Sequence, residues 1–420
     1  VIGGGVVGLY TSLYLSRAGF DVILIDREDI CSSTSNKFHG MIHSGARYAV
    51  TDPVSAAECA SENEILSRIA SSYIDDVGGY FIALNESESD FGDRLIKGCR
   101  KARISTKETD IGTLKQSEPF VTPNVQRAIH VPDKVVKAFE YCVAIAMESI
   151  LEGTKIMTYS EVIGMIIADN HIEKIRVRRD GRITELSPDI VINAAGPFSD
   201  SINAMAGIDI PATVPALGAM LVYPLHAVNS VLNRMRAPSD GDIIVPYGSL
   251  AIAGTTAVIS PDTENPGIDL QDLENMQSDI VRMVPILSSY RYSRYYFSFR
   301  PLMEGSSDSL RTSSRSFRIL TEEYHGIHNY FAITGGKFTT GRLIGETVQR
   351  TVCEKLGSKR PHGDLDLNST VERFVESPFC RDRKLFDRLV KRLNGIDDER
   401  LSTAIIAALY KNIGDEKIGF

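Results

Sequence analysis

The chain opens on an apolar pair, Val1-Ile2, followed by a glycine turn from Gly3 to Gly8, an apolar-rich stretch over 6–18 and a second apolar run over 20–25. That succession predicts strand, turn, helix and parallel strand, the start of a βαβ unit. Residues 131–150, entered through Pro132, carry Val135, Val136, Phe139, Val143, Ala146 and Met147 and predict a helix. Three short β-like runs follow at 162–167, 172–178 and 183–186, parted by Asp169-Asn170 and Arg179-Asp180-Gly181, turn residues inside a meander. Residues 190–193 read as a buried strand that ends in Ala194-Ala195-Gly196. From 211 to 299 the runs 218–222, 243–245 and 250–253 are β-like and 270–283 is helical. Strand character returns at 331–334, Gly335-Gly336 follows, and 340–356 reads as a helix. Past Pro361, a polar link leads to helical segments near 371–374, 384–393 and 401–410.

Gly3-x-Gly5-x-x-Gly8, with Asp26 closing the second strand, gives each residue a task in binding a dinucleotide. Gly3 makes the tight turn, Gly5 lets the backbone approach a pyrophosphate, and Gly8 lets the helix pack closely on the strand. The helix N-terminus presents unpaired N–H groups and a positive dipole end to the phosphates, and Asp26 takes the ribose hydroxyls. Only two residues precede Gly3, where a strand contributes about five, so the polypeptide is expected to begin upstream of Val1. A nicotinamide enzyme would continue with alternating helices and parallel strands. A meander ahead of Val191-Ile192-Asn193-Ala194-Ala195-Gly196 suits flavoproteins with two dinucleotide folds, and favours FAD over NAD.

The 420 residues suffice for two domains and an accessory segment. With 46 basic and 54 acidic residues, a formal charge of -8 and no long basic tract, nucleic acid is excluded as an expected partner. Cysteines 31, 59, 99, 142, 353 and 380 form no C-x-x-C pair and no Cys/His cluster of metal spacing. The expectation is therefore no metal, reduced thiols and a cytoplasmic setting. No apolar run approaches the roughly 20 residues a membrane-spanning helix needs.

The segment CSSTSNKFHGMIH, residues 31–43, follows the Asp26 strand and must run along the cofactor. Hydroxyls of Ser33, Thr34 and Ser35 suit pyrophosphate or ribityl oxygens, and Gly40 permits close packing on a ring. His39 and His43 stand four apart without a third ligand, so metal is unsupported. His43 leads into Ser44-Gly45-Ala46-Arg47-Tyr48, which brings a cation and a phenol to the same place. Arg300 before Pro301, Arg315 at the end of a serine-rich stretch and Lys337 after Gly335-Gly336 are the other candidate cations. Guanidinium forks and a lysine match a phosphate-bearing substrate.

HSGARYAVTD, VINAAG, APSDGDIIVP, GTT at 254–256, FRPL at 299–302 and ITGGKFTTGRL together resemble FAD-dependent glycerol-3-phosphate dehydrogenases, especially the catalytic large subunit of the anaerobic type. The resemblance covers residues 1–367. It implies oxidation of sn-glycerol 3-phosphate to dihydroxyacetone phosphate by hydride transfer from C2 to flavin N5, with electrons passed to a quinone or an electron-accepting partner. It places Arg47, Tyr48, Arg300, Arg315 and Lys337 around the substrate. Gly3, Gly5, Gly8, Asp26, Ser33, Thr34, Ser35, Ala195, Gly196, Gly336 and Thr339 would line FAD, held noncovalently. Asp242 stands where the respiratory homodimeric branch usually has arginine, and the tail lacks the cysteine pairs usual in the large chain of the anaerobic type.

The expected fold class is α/β, a two-dinucleotide-binding-fold FAD domain (1–75, 130–207 and 319–360) with an inserted α+β substrate domain (76–129 and 208–318). A small helical C-terminal segment (361–420) completes it. Within this scheme His43, Arg300 and Lys337 are the expected catalytic groups, His43 as base, its ordinary pKa of about 6.5 suiting proton exchange. Arg47, Tyr48 and Arg315 bind substrate. Competing readings are an FAD enzyme for L-2-hydroxyglutarate or another 2-hydroxy acid, and a flavin electron-transfer protein without turnover of its own. Peripheral attachment to the cytoplasmic membrane face is allowed for, with the helices after 371 as its expected place.

Overall fold

The computed structural model describes residues 1–209, 213–260, 263, 266–303, 316–358 and 364–377. Its first layer is a sheet gathered from distant parts of the chain. Ile2 forms parallel bridges to Ile25 on one side and Asn193 on the other. Ile23–Ile25 pairs in parallel with Lys155–Met157, and Val191–Asn193 pairs in parallel with Tyr330–Gly335. Phe317–Leu320 adds an antiparallel strand beside Tyr330–Gly335. The strands are short and apolar on both faces because both are covered: Ile192, Phe331 and Ile333 pack on Leu15, Ile344 and Val348 of two helices, and Ile2, Ile25 and Val191 pack on Val162, Ile172, Ile175 and Val177 of an antiparallel meander.

Helix Val6–Arg17 is buried almost throughout, so it needs no polar face. Its Leu9 and Leu13 join the core that includes Tyr141, Val143 and Ile145 of helix Ala138–Leu151. Helix Gly341–Lys355 crosses it closely at Gly345, where a Cβ would stand 2.7 Å from the Tyr10 carbonyl carbon. Gly8 is tighter still: an added Cβ would meet the Gly3 carbonyl oxygen at 1.8 Å.

The helix expected over 131–150 begins later than its pattern suggested. Residues Arg127–Val131 and Lys134–Val136 are strands, and the helix runs Ala138–Leu151. Val135 and Val136 are β-branched, and Val135 pairs with Met41 and with Asp75, so tertiary pairing outweighs the helical spacing. The meander matches expectation, as Glu161–Ala168, His171–Arg179 and Arg182–Leu186. Its turns place Asp169, Asn170, Asp180 and Gly181 at positive φ, the left-handed conformation such residues tolerate.

Among the described residues, a nine-stranded sheet forms the second layer. Its long strands are Thr213–Tyr223 and Arg294–Met303, paired antiparallel so that Ala216 faces Arg300. Ile243–Tyr247 and Leu250–Gly254 form a hairpin, and Gly79–Ala83 and Arg127–Val131 extend the sheet. Helix Leu270–Met283, capped by Asp269, lays Leu273, Met276, Ile280 and Met283 on it at helical spacing. Helix Thr370–Glu376 docks on the first layer, where Arg373 bonds Glu148 at 2.6 and 3.0 Å. The expected segments 384–393 and 401–410 lie outside the described residues. Among the described residues, no helix is long and apolar enough to cross a membrane.

Candidate active site

A cavity of about 770 Å³ runs between the two layers, lined at one end by Gly3, Gly5, Asp26, Ser33, Thr34, Ser35, Ala195 and Gly196. The backbone here is arranged for close approach. Gly3 has φ +106, and a Cβ on it would stand 2.6 Å from the Ala194 carbonyl oxygen. The first turn of helix Val6–Arg17 abuts the cavity, with Val6 N–H donating to Ser35 Oγ at 3.0 Å. Asp26 accepts from the Gly4 N–H at 2.6 Å and the Glu28 N–H at 2.8 Å. Burial raises its pKa from the ordinary aspartate value, and those two N–H bonds oppose the rise. Gly8 lines no part of the cavity, since it serves the helix-to-turn packing described above.

The other end collects the candidate chemistry: His39, His43, Arg47, Tyr48, Arg300, Gly336, Lys337 and Thr339 all line it. His43, 6% exposed, meets the His39 ring edge-on at 5.2 Å and the Tyr48 ring at 5.3 Å between centroids. The His43 backbone N–H donates to Thr339 Oγ1 at 3.2 Å, which ties the histidine loop to the turn before helix Gly341–Lys355. Burial, reinforced by Arg47 and Arg300, drives the His39 pKa down to about 3. Phe38 and Phe338 stack at 4.6 Å in the cavity wall.

The cations are held by different means. Lys337 Nζ lies 3.7 Å from Glu58 Oε2 and 5.4 Å above the Tyr48 ring. Burial raises the Glu58 pKa, against the pull of Lys337. Arg300 donates to the Thr256 carbonyl at 2.6 Å and to Thr255 Oγ1. Gly218 makes room for it, because a Cβ there would lie 2.3 Å from Arg300 Nη2. Arg47 sits on a single turn, Ala46–Tyr48, preceded by Gly45 at φ +95. Ser44 anchors that turn by donating from its N–H and hydroxyl to Asp133 Oδ1 at 2.8 and 2.7 Å.

The expected residues thus converge on one cavity, Gly8 apart, while Arg315 lies outside the described residues. Three hydroxyls have internal duties that sequence did not reveal. Thr34 Oγ1 donates to the Phe299 carbonyl, Ser35 Oγ accepts from Val6, and Thr339 Oγ1 accepts from His43. Sequence reasoning missed Glu58, one of three glutamates on helix Pro53–Ile69, with no local pattern to single it out. It noticed Asp242 only as a departure from a branch pattern, whereas the buried carboxylate pairs with Arg47.

Residues 1–350 match the family model described as FAD dependent oxidoreductase. An anaerobic glycerol-3-phosphate dehydrogenase chain of Escherichia coli K12 is 35% identical over 374 residues, covering 87% of this chain and 69% of the relative. Its counterpart in Haloferax volcanii, also an anaerobic glycerol-3-phosphate dehydrogenase chain, is 32% identical over 372 residues, covering 85% of this chain. The chain spans 63% of that relative's length. Among solved structures, the FAD-complexed glycerol-3-phosphate dehydrogenase from Bacillus halodurans superposes with a TM-score of 0.66 at 18% identity, covering 97% of this chain and 75% of that one. L-proline dehydrogenase from P. horikoshii superposes with a TM-score of 0.70 at 20% identity, covering 89% and 96%, so the fold is common to several substrates. The chain belongs to the FAD-dependent oxidoreductase family and, within it, to the group of the anaerobic glycerol-3-phosphate dehydrogenases.

Proposed function

We propose that the chain oxidises sn-glycerol 3-phosphate at C2 to dihydroxyacetone phosphate and passes the electrons to a quinone or an electron-accepting partner. The observation that carries this reading is the convergence of Arg47, Arg300 and Lys337 with two histidines at one end of a cavity whose other end is a glycine turn, a helix N-terminus and an acid. FAD fits that cavity by the chemistry of its walls. Gly3 and Gly5 offer backbone close enough for a pyrophosphate, Asp26 stands ready for ribose hydroxyls, and Gly336, at φ +89, keeps the far wall free of a side chain. When bound, FAD supplies the two-electron acceptor.

Arg47 and Lys337 hold the substrate phosphate, with Arg315 as a third cation and Tyr48 beside them. Arg300, fixed by Thr255 and Thr256, stabilises negative charge developing on the C2 oxygen. His43, oriented through its backbone bond to Thr339, takes the hydroxyl proton. The stack of Phe38 on Phe338 keeps water from that wall. In this scheme segments 1–75, 130–207 and 319–360 form the FAD domain, and 76–129 with 208–318 the substrate domain.

Anaerobic mixing of the holoprotein with glycerol 3-phosphate, L-2-hydroxyglutarate and a small set of other hydroxy acids tests the reading. Bleaching of the flavin by glycerol 3-phosphate at the lowest concentration is the expected result. Preferential bleaching by a carboxylate substrate overturns it.

A further inference from the structure

Arg47 reaches the cavity wall at the end of a line of alternating charges. Its Nη2 lies 3.5 Å from Asp242 Oδ2. Asp242 Oδ1 in turn lies 2.6 Å from Arg236 Nη2, which is 3.6 Å from Asp279, and Asp279 is 3.2 Å from Arg282. Side-chain exposure along this line is 11, 0, 27, 25 and 66%, so it runs from the cavity to the outer face of helix Leu270–Met283.

Asp242 is the buried centre of the line, and the local chain is shaped to bury it. Gly241 adopts φ +64, where an added Cβ would lie 2.8 Å from the Met276 carbonyl oxygen, so the loop presses onto the helix only with glycine there. The Asp242 backbone carbonyl accepts from Arg234 N–H at 2.9 Å, and Ser239 N–H donates to Oδ2. Burial raises the carboxyl's pKa, while Arg47 and Arg236 hold it toward the charged form. Arg47 itself keeps a buried Nη1 with no hydrogen-bond partner among the described residues. Its guanidinium is therefore tethered at one tip, through Asp242, with the rest of the fork uncommitted among them.

We infer that Asp242 is a positioning residue for phosphate recognition, fixing the direction in which Arg47 presents its guanidinium while Arg236 balances the acid's charge. An unbalanced carboxylate beside Arg47 would compete with the substrate's phosphate for the same fork. Arg236 leaves the trio of Arg47, Asp242 and Arg236 with one net positive charge. The inference deepens the functional reading above and rests on it for the identity of the anion.

The test is steady-state kinetics of the holoprotein with Asp242→Asn, alone and with Arg47→Lys, beside titration of the flavin spectrum with inorganic phosphate. Asp242→Asn should raise the KM for glycerol 3-phosphate about tenfold or more with kcat within about threefold, the pattern of lost ground-state binding. In the Arg47→Lys background the same change should add less than about twofold, because coupled residues are non-additive. A KM unaltered by Asp242→Asn, or multiplied equally in both backgrounds, overturns the inference. Should Asp242→Asn fail to retain flavin, Arg236→Gln gives the second reading. It should raise KM a few-fold with Arg47 present and leave it unaltered with Lys there, and no difference between backgrounds overturns the inference. A wild-type flavin not bleached by glycerol 3-phosphate overturns the functional reading instead. The phosphate titration then decides: weaker binding in Asp242→Asn supports the positioning role, while equal affinity, or a wild type blind to phosphate, overturns it.

Discussion

Thr34 donates its hydroxyl to the Phe299 carbonyl at 2.7 Å, joining the loop after the Asp26 strand to the strand that carries Arg300 one residue further on. The bond spans the cavity's two walls, so it fixes where Arg300 stands relative to the glycine turn. Thr34→Val keeps the shape and removes the donor. A neutral hydrogen bond of this kind contributes about 1 kcal/mol, so the fold should survive. We expect the flavin to stay bound and kcat for glycerol 3-phosphate to fall several-fold through misplacement of Arg300. Unaltered kinetics in a fully loaded variant would detach this bond from function.

Gly8 allows a sharper comparison. A methyl there meets the Gly3 carbonyl oxygen at 1.8 Å, backbone against backbone, whereas one on Gly164 meets nothing within 4 Å. Gly8→Ala must push the helix off the turn and should yield protein that is unfolded or free of FAD. Gly164→Ala lies in an antiparallel strand of the meander and should change stability by no more than about 0.5 kcal/mol. Flavin absorbance per chain after purification compares the two directly, and full FAD in Gly8→Ala would refute the packing argument.

Those glycines also show why the first dinucleotide unit was legible from sequence. Gly3, Gly5, Gly8 and Asp26 are close in the chain, and each task is set by local geometry. The meander was legible for the same reason, its turns written by Asp169-Asn170 and Asp180-Gly181. Misread elements depended on distant partners: Val135 and Val136 follow helical spacing yet pair with Met41 and Ile74 across the fold. The site divides likewise. Arg47, Arg300 and Lys337 stand in distinctive local strings, but Glu58 beside Lys337 and Asp242 beside Arg47 become partners only when the sheets close on each other.

Lys337 combines a buried side chain with a carboxylate neighbour and an aromatic face. Lys337→Met preserves the stem's packing and removes the charge. Losing one charge-assisted contact to phosphate is worth roughly 1.5 to 3 kcal/mol, a drop in kcat/KM of about ten- to a hundredfold. Flavin content should stay at the wild-type level if Lys337 binds substrate as proposed. Equal kcat/KM for the variant would remove Lys337 from substrate binding.

His39 supplies the pH dependence. Its folded pKa is pushed down to about 3, first by burial and then by Arg47 and Arg300. In the unfolded chain the ring titrates at about 6.5. Between those values the unfolded chain binds a proton that the folded chain refuses. The associated stability is fully present above about pH 6.5 and is lost as the pH falls toward 3, by about 1.4 kcal/mol per pH unit. His39→Gln removes this component. Urea unfolding with excess FAD, at pH 7 and pH 5, should show wild type losing about 2 kcal/mol more than the variant over that interval. Parallel losses would mean that the ring takes up its proton inside the fold. Because His39 stays neutral through the working range, any acidic limb in kcat/KM should persist in His39→Gln, and its disappearance would transfer the proton-accepting role from His43 to His39.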